Sequence, residues 1–376
     1  MDWSLLLEWV IKGIVLVLVL LTGFAYLTWF ERKVLARMQV RVGPNRAGPF
    51  GLLQPIADAL KLIFKEEFMP DQAQKFIFVL APIVTVVPAV VVAAVVPWGE
   101  TVTLFGREVT LYVADINVGV LYIMAITSIA IYGITLAGWS SNNKYALLGG
   151  LRATAQMISY ELALGLAFVT AIILAGSMRI LDIVEAQHAF VFAIIQPVGA
   201  LIFLVATLAE VNRAPFDMPE AEQELAAGYH TEYSGMKFAL FFMAEYIKMI
   251  AISAIAATLY FGGFREFGFL EGTWFSVDVH PWLGPLYLFA KVVVLLFVMV
   301  WLRATLPRIR YDRLMSFGWK VILPLSLSVA FISAAGIVLA QEVNPALIWL
   351  IPIVSIMVGA LAVGIVNHAL WRKLDA

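Results

Sequence analysis

The sequence predicts an all-α polytopic membrane protein with about nine transmembrane helices, an amphipathic surface helix after the first of them and a short outer β-hairpin. Of the 376 residues, 62% are hydrophobic and only 14% are charged. Ordinary soluble domains are about 45–50% apolar and about 25% charged, so lipid must solvate part of this chain. The apolar residues also recur in segments of about 20, the length that crosses a hydrocarbon core of about 30 Å.

Nine apolar segments organise residues 1–376 into one membrane domain. Their expected bounds are 11–30, 76–98, 118–138, 156–176, 190–209, 238–261, 285–302, 321–340 and 346–366. Prolines inside them, such as Pro197, are expected to kink the helices, which membrane bundles tolerate. Two long connections stand out between the spans, a basic and amphipathic segment over 31–75 and an acidic loop over 210–237.

The distribution of basic residues predicts the orientation. The loops after odd-numbered spans and the C-terminal tail hold 19 Lys and Arg, whereas the opposite side holds 4, counting Lys12 at the start of the first span with the N-terminal segment. Cytoplasmic loops are enriched in these residues. We therefore expect an outer N-terminus and a cytoplasmic C-terminus, in the inner (plasma) membrane of a bacterium.

Composition also narrows the chemistry. The chain has no cysteine, which excludes disulfides and cysteine-ligated iron–sulfur clusters of its own. Its four histidines lie near or beyond the predicted span ends, unlike the facing pairs of a membrane haem site, and no metal site is predicted. A net charge of −1 gives no reason to expect nucleic acid as a partner. Electrons for any redox reaction must come from a partner protein.

The first candidate for function is the segment that follows the first span. Lys33, Arg37 and Arg41 recur at every fourth residue, so on a helix they share one face. After a Gly/Pro turn, residues 52–64 carry an apolar stripe at helical spacing, which is typical of a helix lying in the membrane surface. This segment either anchors the chain to lipid or frames a portal for a lipid-soluble molecule.

The second candidate is the acidic loop, in which six carboxylates accompany the single Arg213. The carboxylates are Glu210, Asp217, Glu220, Glu222, Glu224 and Glu232. Clustered carboxylates do not all ionise easily, so the pKa of one or more is expected to rise, as suits groups that hold and pass protons. The alternative is a solvated loop whose acids favour the start of a helix.

The third candidate is a set of ionisable side chains inside predicted spans, where charge is costly and usually functional. Glu161, Glu245, Lys248 and Lys291 lie within spans, and Arg303 follows the seventh span. With Glu210 they predict a ladder from the cytoplasmic carboxylates to mid-membrane. The alternative is a set of structural ion pairs, such as Glu245 with Lys248.

Two outer segments show a pattern of their own. Thr101–Val113 alternates apolar and polar residues around Gly106-Arg107, which predicts a two-residue hairpin. Residues 262–284 are rich in Gly, Phe and Trp and are expected to lie along the membrane interface. Both segments are expected to seal the outer face.

Five long blocks resemble the H subunits of bacterial NADH:quinone oxidoreductase, respiratory complex I, the counterparts of the mitochondrially encoded first subunit. The blocks are residues 31–55, 147–161 (LLGGLRATAQMISYE), 210–235, 238–246 (FALFFMAEY) and 303–320 (RATLPRIRYDRLMSFGWK). The resemblance covers about residues 15–340. The segment 346–366 lies beyond it, and Lys248 stands where relatives often have an uncharged polar residue.

The resemblance implies a function within a complex. It implies a proton-translocating enzyme subunit with no redox centre and no bound cofactor of its own, quinone being the substrate. FMN and iron–sulfur clusters would belong to partner subunits. Those partners would include the peripheral subunits of the quinone site and of the terminal iron–sulfur cluster, adjacent small membrane subunits and membrane lipid.

The resemblance also assigns roles to residues at matching positions. It places Arg32, Arg41, Phe241, Phe242 and Met243 along the quinone channel. The proton-coupling route would comprise Glu161, Glu210, Asp217, Glu220, Glu222, Glu224 and Glu245, to which the spans add Lys248 and Lys291. Interface or support roles would fall to Arg37, Arg46, Arg303, Arg308, Arg310 and Asp312.

Three alternatives stay open at this stage. The homologous membrane subunit of a hydrogenase or a ferredoxin-linked complex shares the scaffold, but the long matches over 31–54 and 210–235 favour the quinone branch. A secondary transporter often has inverted repeats, and the sequence contains no such repeat. A passive anchor gains nothing from ionisable residues inside the membrane.

Overall fold

The computed structural model describes residues 3–104, 106–218, 227–268 and 273–374. Within these ranges, eight helices are long and apolar enough to cross a membrane, and one further apolar helix is shorter. A two-stranded antiparallel sheet completes the regular structure. The prediction of an all-α polytopic membrane protein with one small hairpin is therefore confirmed.

The helices, in chain order, have the following bounds. They are α1 (Trp3–Met38), α2 (Gln54–Ile63), α3 (Lys75–Val92), α4 (Gly119–Ser140), α5 (Lys144–Ala175), α6 (Ile180–Glu185), α7 (Phe192–Ile195), α8 (Pro197–Glu210), α9 (Gly235–Tyr260), α10 (Leu283–Thr305), α11 (Tyr311–Phe317), α12 (Leu323–Glu342) and α13 (Leu350–Leu374). The strands β1 (Thr101–Leu104) and β2 (Arg107–Thr110) lie between α3 and α4.

Successive long helices run in opposite directions, so their connections gather at two ends of the bundle. We call the end that bears residues 39–74, 141–143, 211–234 and 306–310 the basic face. Backbone hydrogen bonds link its loops, from Gln74 to Ser140 (3.2 Å) and from Ile309 to Pro215 (3.2 Å). The other end is the opposite face, where the Val120 amide donates to Met178 (3.1 Å).

The fifth expected span, 190–209, is not one continuous helix. It consists of α7 and the 14-residue α8, which meet at Gln196 with φ −132° and ψ 69°. The cause is Pro197, because a proline disfavours helical dihedrals at the residue before it. Gln196 is fully buried and its side-chain amide donates to Ser333 of α12 (2.7 Å).

Three helices extend further than the hydropathy pattern indicates. The first contains 36 residues and is about 54 Å long, so it projects beyond a bilayer core. It nevertheless ends at Met38, and Val40 has a positive φ of 54°. Arg41 therefore does not continue the helical face of Lys33 and Arg37.

The other two extended helices are α5 and the helix formed by α11 and α12. Helix α5 begins at residue 144, and a π-helical segment over 318–322 joins α11 and α12 into one continuous helix.

The amphipathic helix after the first span is confirmed as α2. Its apolar stripe faces outward, with Ile56, Leu60 and Ile63 all at least half exposed. A lipid surface would cover such a stripe. The Arg32 guanidinium and the Asp58 carboxylate, 2.6 Å apart, hold α2 against α1.

The predicted hairpin forms, but Arg107 belongs to a strand and not to the turn. Leu104 pairs with Arg107 at the ends of β1 and β2, and residue 105 lies outside the described residues. Gly106 has φ +76°, a conformation that glycine adopts without a steric penalty.

The orientation can be tested with single cysteines, since the chain has none of its own. Asn45→Cys on the basic face and Glu108→Cys on the opposite face are both exposed positions. An impermeant thiol reagent added to intact cells is expected to label Glu108→Cys only, and both after permeabilisation. Labelling of Asn45→Cys in intact cells would overturn the predicted orientation.

Candidate functional site

The centre of the candidate site is Arg213, which lies in the tight turn that follows α8. The turn is fixed by hydrogen bonds from the Arg213 amide to Leu208 (3.2 Å) and from the Phe216 amide to Arg213 (2.8 Å). Gln156 of α5 also fixes the turn, since its side-chain amide donates to the backbone carbonyls of Ala209 (2.8 Å) and Phe216 (2.7 Å). These contacts direct the arginine into the bundle, where only 3% of it is exposed.

Arg213 lies between carboxylates of two different spans. Its Nη1 lies 3.1 Å from Oε1 of Glu31 in α1, and its Nε lies 2.7 Å from Oε1 of Glu245 in α9. Burial by itself would lower the pKa of Arg213, but Glu245 and Glu31 outweigh it and raise the pKa above that of free arginine. The guanidinium is therefore a permanent positive charge that joins α1, α8 and α9.

A second arginine completes the environment of Glu31. Arg303 at the end of α10 donates from Nη1 to the same Oε1 atom. Glu31 is only 3% exposed. A buried carboxylate needs such compensation, because an unpaired ion is far more costly in a membrane interior than in water.

Aromatic side chains on α9 lead from α2 toward this cluster. Phe238, Phe242 and Tyr246 are spaced four residues apart and form one face, with successive ring centroids 6.1 and 4.8 Å apart. Phe24 of α1 contacts Tyr246 (centroids 6.0 Å), and Arg213 lies over the Tyr246 ring at 4.4 Å. We call Phe238, Phe242 and Tyr246 the aromatic face of α9.

Lys248 belongs to a neighbouring ion pair whose partner differs from the expected one. Its Nζ lies 2.9 Å from Oε1 of Glu210 and donates to the Glu210 carbonyl (3.2 Å). The pair proposed from sequence, Glu245 with Lys248, is replaced in the structure by Glu245 with Arg213 and Lys248 with Glu210. The reason is that α8 ends against α9, which brings the buried Glu210 to the lysine. A cavity of about 30 Å³ touches Glu210, Glu245 and Lys248 and is large enough for a water molecule.

Glu161 of α5 lies at the far side of this group. Its carboxyl oxygen Oε1 is hydrogen-bonded to Ser128 of α4. Glu210 and Lys248 both act on Glu161 electrostatically. Of the expected ladder, the structure brings together Glu161, Glu210, Glu245, Lys248 and Arg303, and Arg213 and Glu31 lie among them.

Lys291, the other member of the expected ladder, lies elsewhere. Its ammonium donates to the carbonyls of Gly263 (2.9 Å) and Arg265 (2.6 Å), just beyond the last residue of α9. That end of α9 lies about 18 Å along the helix from Lys248. Lys291 therefore stabilises the turn at the opposite face.

The residues expected along the quinone channel separate into three groups. Phe242 and Met243 are partly buried and pack against the main core. Phe241 faces a second cluster, where its ring contacts Tyr229 (5.3 Å) and Tyr233 (4.9 Å). Arg32 and Arg41 lie at the basic face, where Arg41 is exposed and donates to the Gln39 side chain (2.7 Å).

An apolar groove of about 610 Å³ runs between α1 and the helices α9 and α10. Trp98 marks one end near the opposite face, whereas Trp29 and Phe30 mark the other end near the basic face. Gly23 lies at the middle of the groove, where an added Cβ would lie 3.0 Å from the Cδ1 atom of Ile250. Nearly all of the lining is hydrocarbon.

The remaining expected site residues lie on the basic face. Those at exposed positions are Arg37, Arg46, Arg308, Arg310 and Asp312. Arg310 and Asp312 pair with each other at 3.2 Å. Asp217 lies in the described part of the acidic loop, and Glu232 accepts a hydrogen bond from Asn143 (2.6 Å). Glu220, Glu222 and Glu224 lie outside the described residues.

The end of the acidic loop is fixed by Tyr233. Its ring stacks on Phe78 of α3 with centroids 4.0 Å apart, and its hydroxyl donates to the Phe78 carbonyl (3.1 Å). Burial raises the pKa of Tyr233 to about 12, although a hydrogen bond with Ser140 partly opposes the rise. The hydroxyl is therefore a neutral donor at physiological pH.

Sequence reasoning missed several side chains that build the site. Gln156, Tyr246 and Ser128 were not singled out, and Arg213 and Glu31 were noted only as parts of motifs. An uncharged polar residue in an apolar span carries little signal by itself, because many such hydroxyls bond only to their own helix. The partners of these residues depend on how α4, α5, α8 and α9 pack, which residue spacing does not reveal.

The network can be tested by removing its central charge. Arg213→Met leaves Glu245 without the cation that pairs with it, and breaking a buried ion pair in this way costs about 3–5 kcal/mol. We expect a lower thermal unfolding midpoint of the purified membrane complex, with partial recovery in Arg213→Met/Glu245→Gln, because Glu31 keeps Arg303. Arg310→Met is the control, since an exposed pair contributes about 0–1 kcal/mol. Equal midpoints for Arg213→Met and Arg310→Met would contradict the central role of Arg213.

Known proteins are similar to this chain in sequence over most of its length. The sequence profile of the family described as NADH dehydrogenase matches residues 11–334, which leaves α13 beyond the matched part. The H subunit of NADH-quinone oxidoreductase from Thermomicrobium roseum is 52% identical over 337 residues, covering 87% of this chain and 95% of that protein. The H 2 subunit from Syntrophobacter fumaroxidans is 49% identical over 331 residues, with 87% and 95% covered. The H 1 subunit from Geobacter metallireducens is 52% identical over 310 residues, with 82% and 90% covered. The chain therefore belongs to the NADH dehydrogenase family, among relatives named as H subunits of NADH-quinone oxidoreductase.

Proposed function

We propose that this chain is the membrane subunit through which quinone reaches the electron donor of an NADH-quinone oxidoreductase, and that its buried charges begin the coupled proton route. The observation that carries the proposal is the aromatic face of α9, which ends directly on the ionic cluster of Arg213, Glu31 and Glu245. A flat, apolar head group needs aromatic surfaces for contact. Coupling requires that this surface adjoin groups able to exchange charge or protons.

The position of α2 supports a portal for a lipid-soluble substrate. This helix presents an apolar stripe to the lipid and is tied to α1 through Arg32 and Asp58. Helix α9 lies on its other side, so α1, α2 and α9 frame the approach to Phe242. The apolar groove between α1 and α9 provides a hydrocarbon surface in which an isoprenoid tail is solvated as it is in lipid.

The order of the charged groups supports a proton route. Arg213 and Glu31 lie beside the aromatic face. The next groups, on the side away from this face, are Glu245, Lys248, Glu210 and Glu161. A change of charge near Tyr246 alters the field at Glu245 through Arg213, and the shared cavity links Glu245 to Lys248 and Glu210. Interactions between such groups are strong because few solvent dipoles screen them.

The surrounding complex supplies the redox chemistry. This chain has no cysteine for iron–sulfur clusters, so partner subunits would carry FMN and the clusters, and quinone would be the substrate. The exposed basic face, with Arg37, Arg46 and Arg308, is the surface on which the peripheral subunits would assemble. The complex would lie in a bacterial plasma membrane with this face in the cytoplasm.

The proposal predicts a specific defect in Phe242→Ala. Loss of an aromatic contact of about 0.5–1.5 kcal/mol is expected to lower quinone reductase kcat/KM about 2- to 10-fold. Electron transfer from NADH to a water-soluble acceptor should be unchanged, because that reaction does not use the membrane site. The assay uses the purified complex in lipid.

Phe331→Ala is the matched control, because Phe331 of α12 is 68% exposed on the side of the bundle. This variant is expected to behave as the unmodified complex in both assays. An unchanged quinone reductase activity in Phe242→Ala would refute the role of the aromatic face. A parallel loss of both activities in Phe242→Ala would refute it as well, since it would show that the residue serves assembly.

A further inference from the structure

Ser128 and Glu161 face each other where α4 and α5 approach closely. Glu161 and Gly165 lie one turn apart on the same side of α5. A Cβ at Gly165 would lie 2.9 Å from the Cε atom of Met124, so this side of α5 packs against α4. At this contact the Ser128 hydroxyl is hydrogen-bonded to Oε1 of Glu161.

Glu161 differs from the other carboxylates of the buried network in its partners. Glu31 and Glu245 pair with Arg213, and Glu210 pairs with Lys248. Within the part of the chain that the structure describes, no Lys or Arg lies within 4 Å of Glu161. The cost of an uncompensated ion in a membrane is therefore lowest when Glu161 carries a proton.

The geometry of Ser128 matches a protonated Glu161. The serine hydroxyl has one hydrogen but two acceptors within reach, the Met124 carbonyl at 2.8 Å and the Glu161 carboxyl. When the hydrogen points to Met124, the remaining contact requires Glu161 to donate its own proton to the serine oxygen. The Met124 carbonyl does not depend on Ser128, because Thr127 also donates to it (3.0 Å).

We propose that Ser128 is the positioning residue that lets Glu161 hold a proton in the resting state and release it during turnover. This inference rests on the function proposed above and assigns a role to a residue outside the acidic ladder. In the protonated state, Glu161 donates to Ser128 and Ser128 donates to Met124. When the proton leaves the Glu161 carboxyl, the serine hydroxyl rotates and donates to the carboxylate. The serine O–H bond never breaks: the proton that leaves Glu161 passes to the carboxylate of Glu210, its neighbour on the proposed route, and none is taken from Ser128.

A hydroxyl suits this task because it both donates and accepts. An alanine could do neither, whereas threonine keeps the same group. The stabilisation is larger for the ionised carboxyl, since hydrogen bonds to charged groups are about twice as strong as those between neutral groups. Loss of the hydroxyl should therefore make Glu161 retain its proton to higher pH.

The elements that pack against α5 carry several titratable groups. They are Glu210 on α8, Lys237, Glu245, Tyr246, Lys248 and Tyr260 on α9, Tyr229 and His230 before α9, Tyr311, Asp312, Arg313 and Lys320 at the start of the α11–α12 helix, Glu342 at its end, and Asp182 and Glu185 on α6. Helix α4 contributes no Asp, Glu, Lys, Arg or His. Of these groups, Glu210 and Lys248 act on Glu161 electrostatically.

The test uses the complete complex in lipid and infrared difference spectra of its carboxyl groups. Comparison of the unmodified complex with Glu161→Gln should show one protonated carboxyl band that the variant lacks. Ser128→Ala should shift this band and move the pH profile of quinone reduction about one unit to higher pH. Ser128→Thr should restore both. Ser326→Ala is the control, because that serine donates only to its own helix, at Leu323 (2.8 Å).

Two results would overturn the inference. One is the absence of a protonated carboxyl band that depends on Glu161, which can be observed even if Ser128→Ala does not assemble. The other is a Ser128→Ala complex with the same band and the same pH profile as the unmodified complex. The infrared measurement needs no quinone, so it is independent of whether the proposed quinone reaction is correct.

Discussion

The interaction on which the rest of this structure depends is the pairing of Arg213 with carboxylates from two other spans. A guanidinium cannot lose its charge and is very costly in a lipid environment unless anions surround it. Glu31 and Glu245 supply those anions, and Glu31 in turn binds Arg303. Four helices, α1, α8, α9 and α10, are therefore joined at one level of the bundle by charges that no single helix could accommodate.

This constraint also connects two surfaces with different chemistry. On one side of Arg213 lies the aromatic face of α9, beside the apolar groove and the surface helix α2. On the other side lie Lys248, Glu210 and Glu161, which reach toward the bundle interior. Arg213 lies over the Tyr246 ring and pairs with Glu245, so an electrostatic change at the aromatic side alters the field at Glu245, which lines the same cavity as Lys248 and Glu210. In the proposed function, that contact is the physical basis of coupling between quinone and protons.

The sequence predicts the spans well because their hydropathy depends only on local composition. The break at Gln196 was less evident, since Pro197 is compatible with either a kink or two helices, and packing against Ser333 favours the second. The partner of Lys248 could not be predicted, because helical spacing favours Glu245 whereas the end of α8 brings Glu210 closer. Depth was also misleading for Lys291, whose flexible chain reaches the backbone carbonyls beyond α9.

The residues that the sequence identified most reliably are those inside or next to spans, where the cost of burial makes any charge conspicuous. The sequence could not identify Gln156 or Ser128. Gln156 matters because it bonds the turn after α8, and Ser128 matters because it bonds the Glu161 carboxyl. It also could not show which carboxylates are neutralised by cations. That distinction separates Glu210 and Glu245 from Glu161, and it depends entirely on three-dimensional placement.

The most direct test of the buried ion pairs is the pH profile of quinone reduction in Lys248→Asn, compared with Lys248→Arg. Removal of the cation leaves the buried Glu210 carboxylate without its ion-pair partner, so the pH profile of quinone reduction should shift while the complex assembles and still reduces a water-soluble acceptor. Lys248→Arg, which keeps the charge, should leave the profile close to that of the unmodified complex. A normally assembled Lys248→Asn complex with an unchanged profile would contradict the claim that the buried ion pairs control proton exchange.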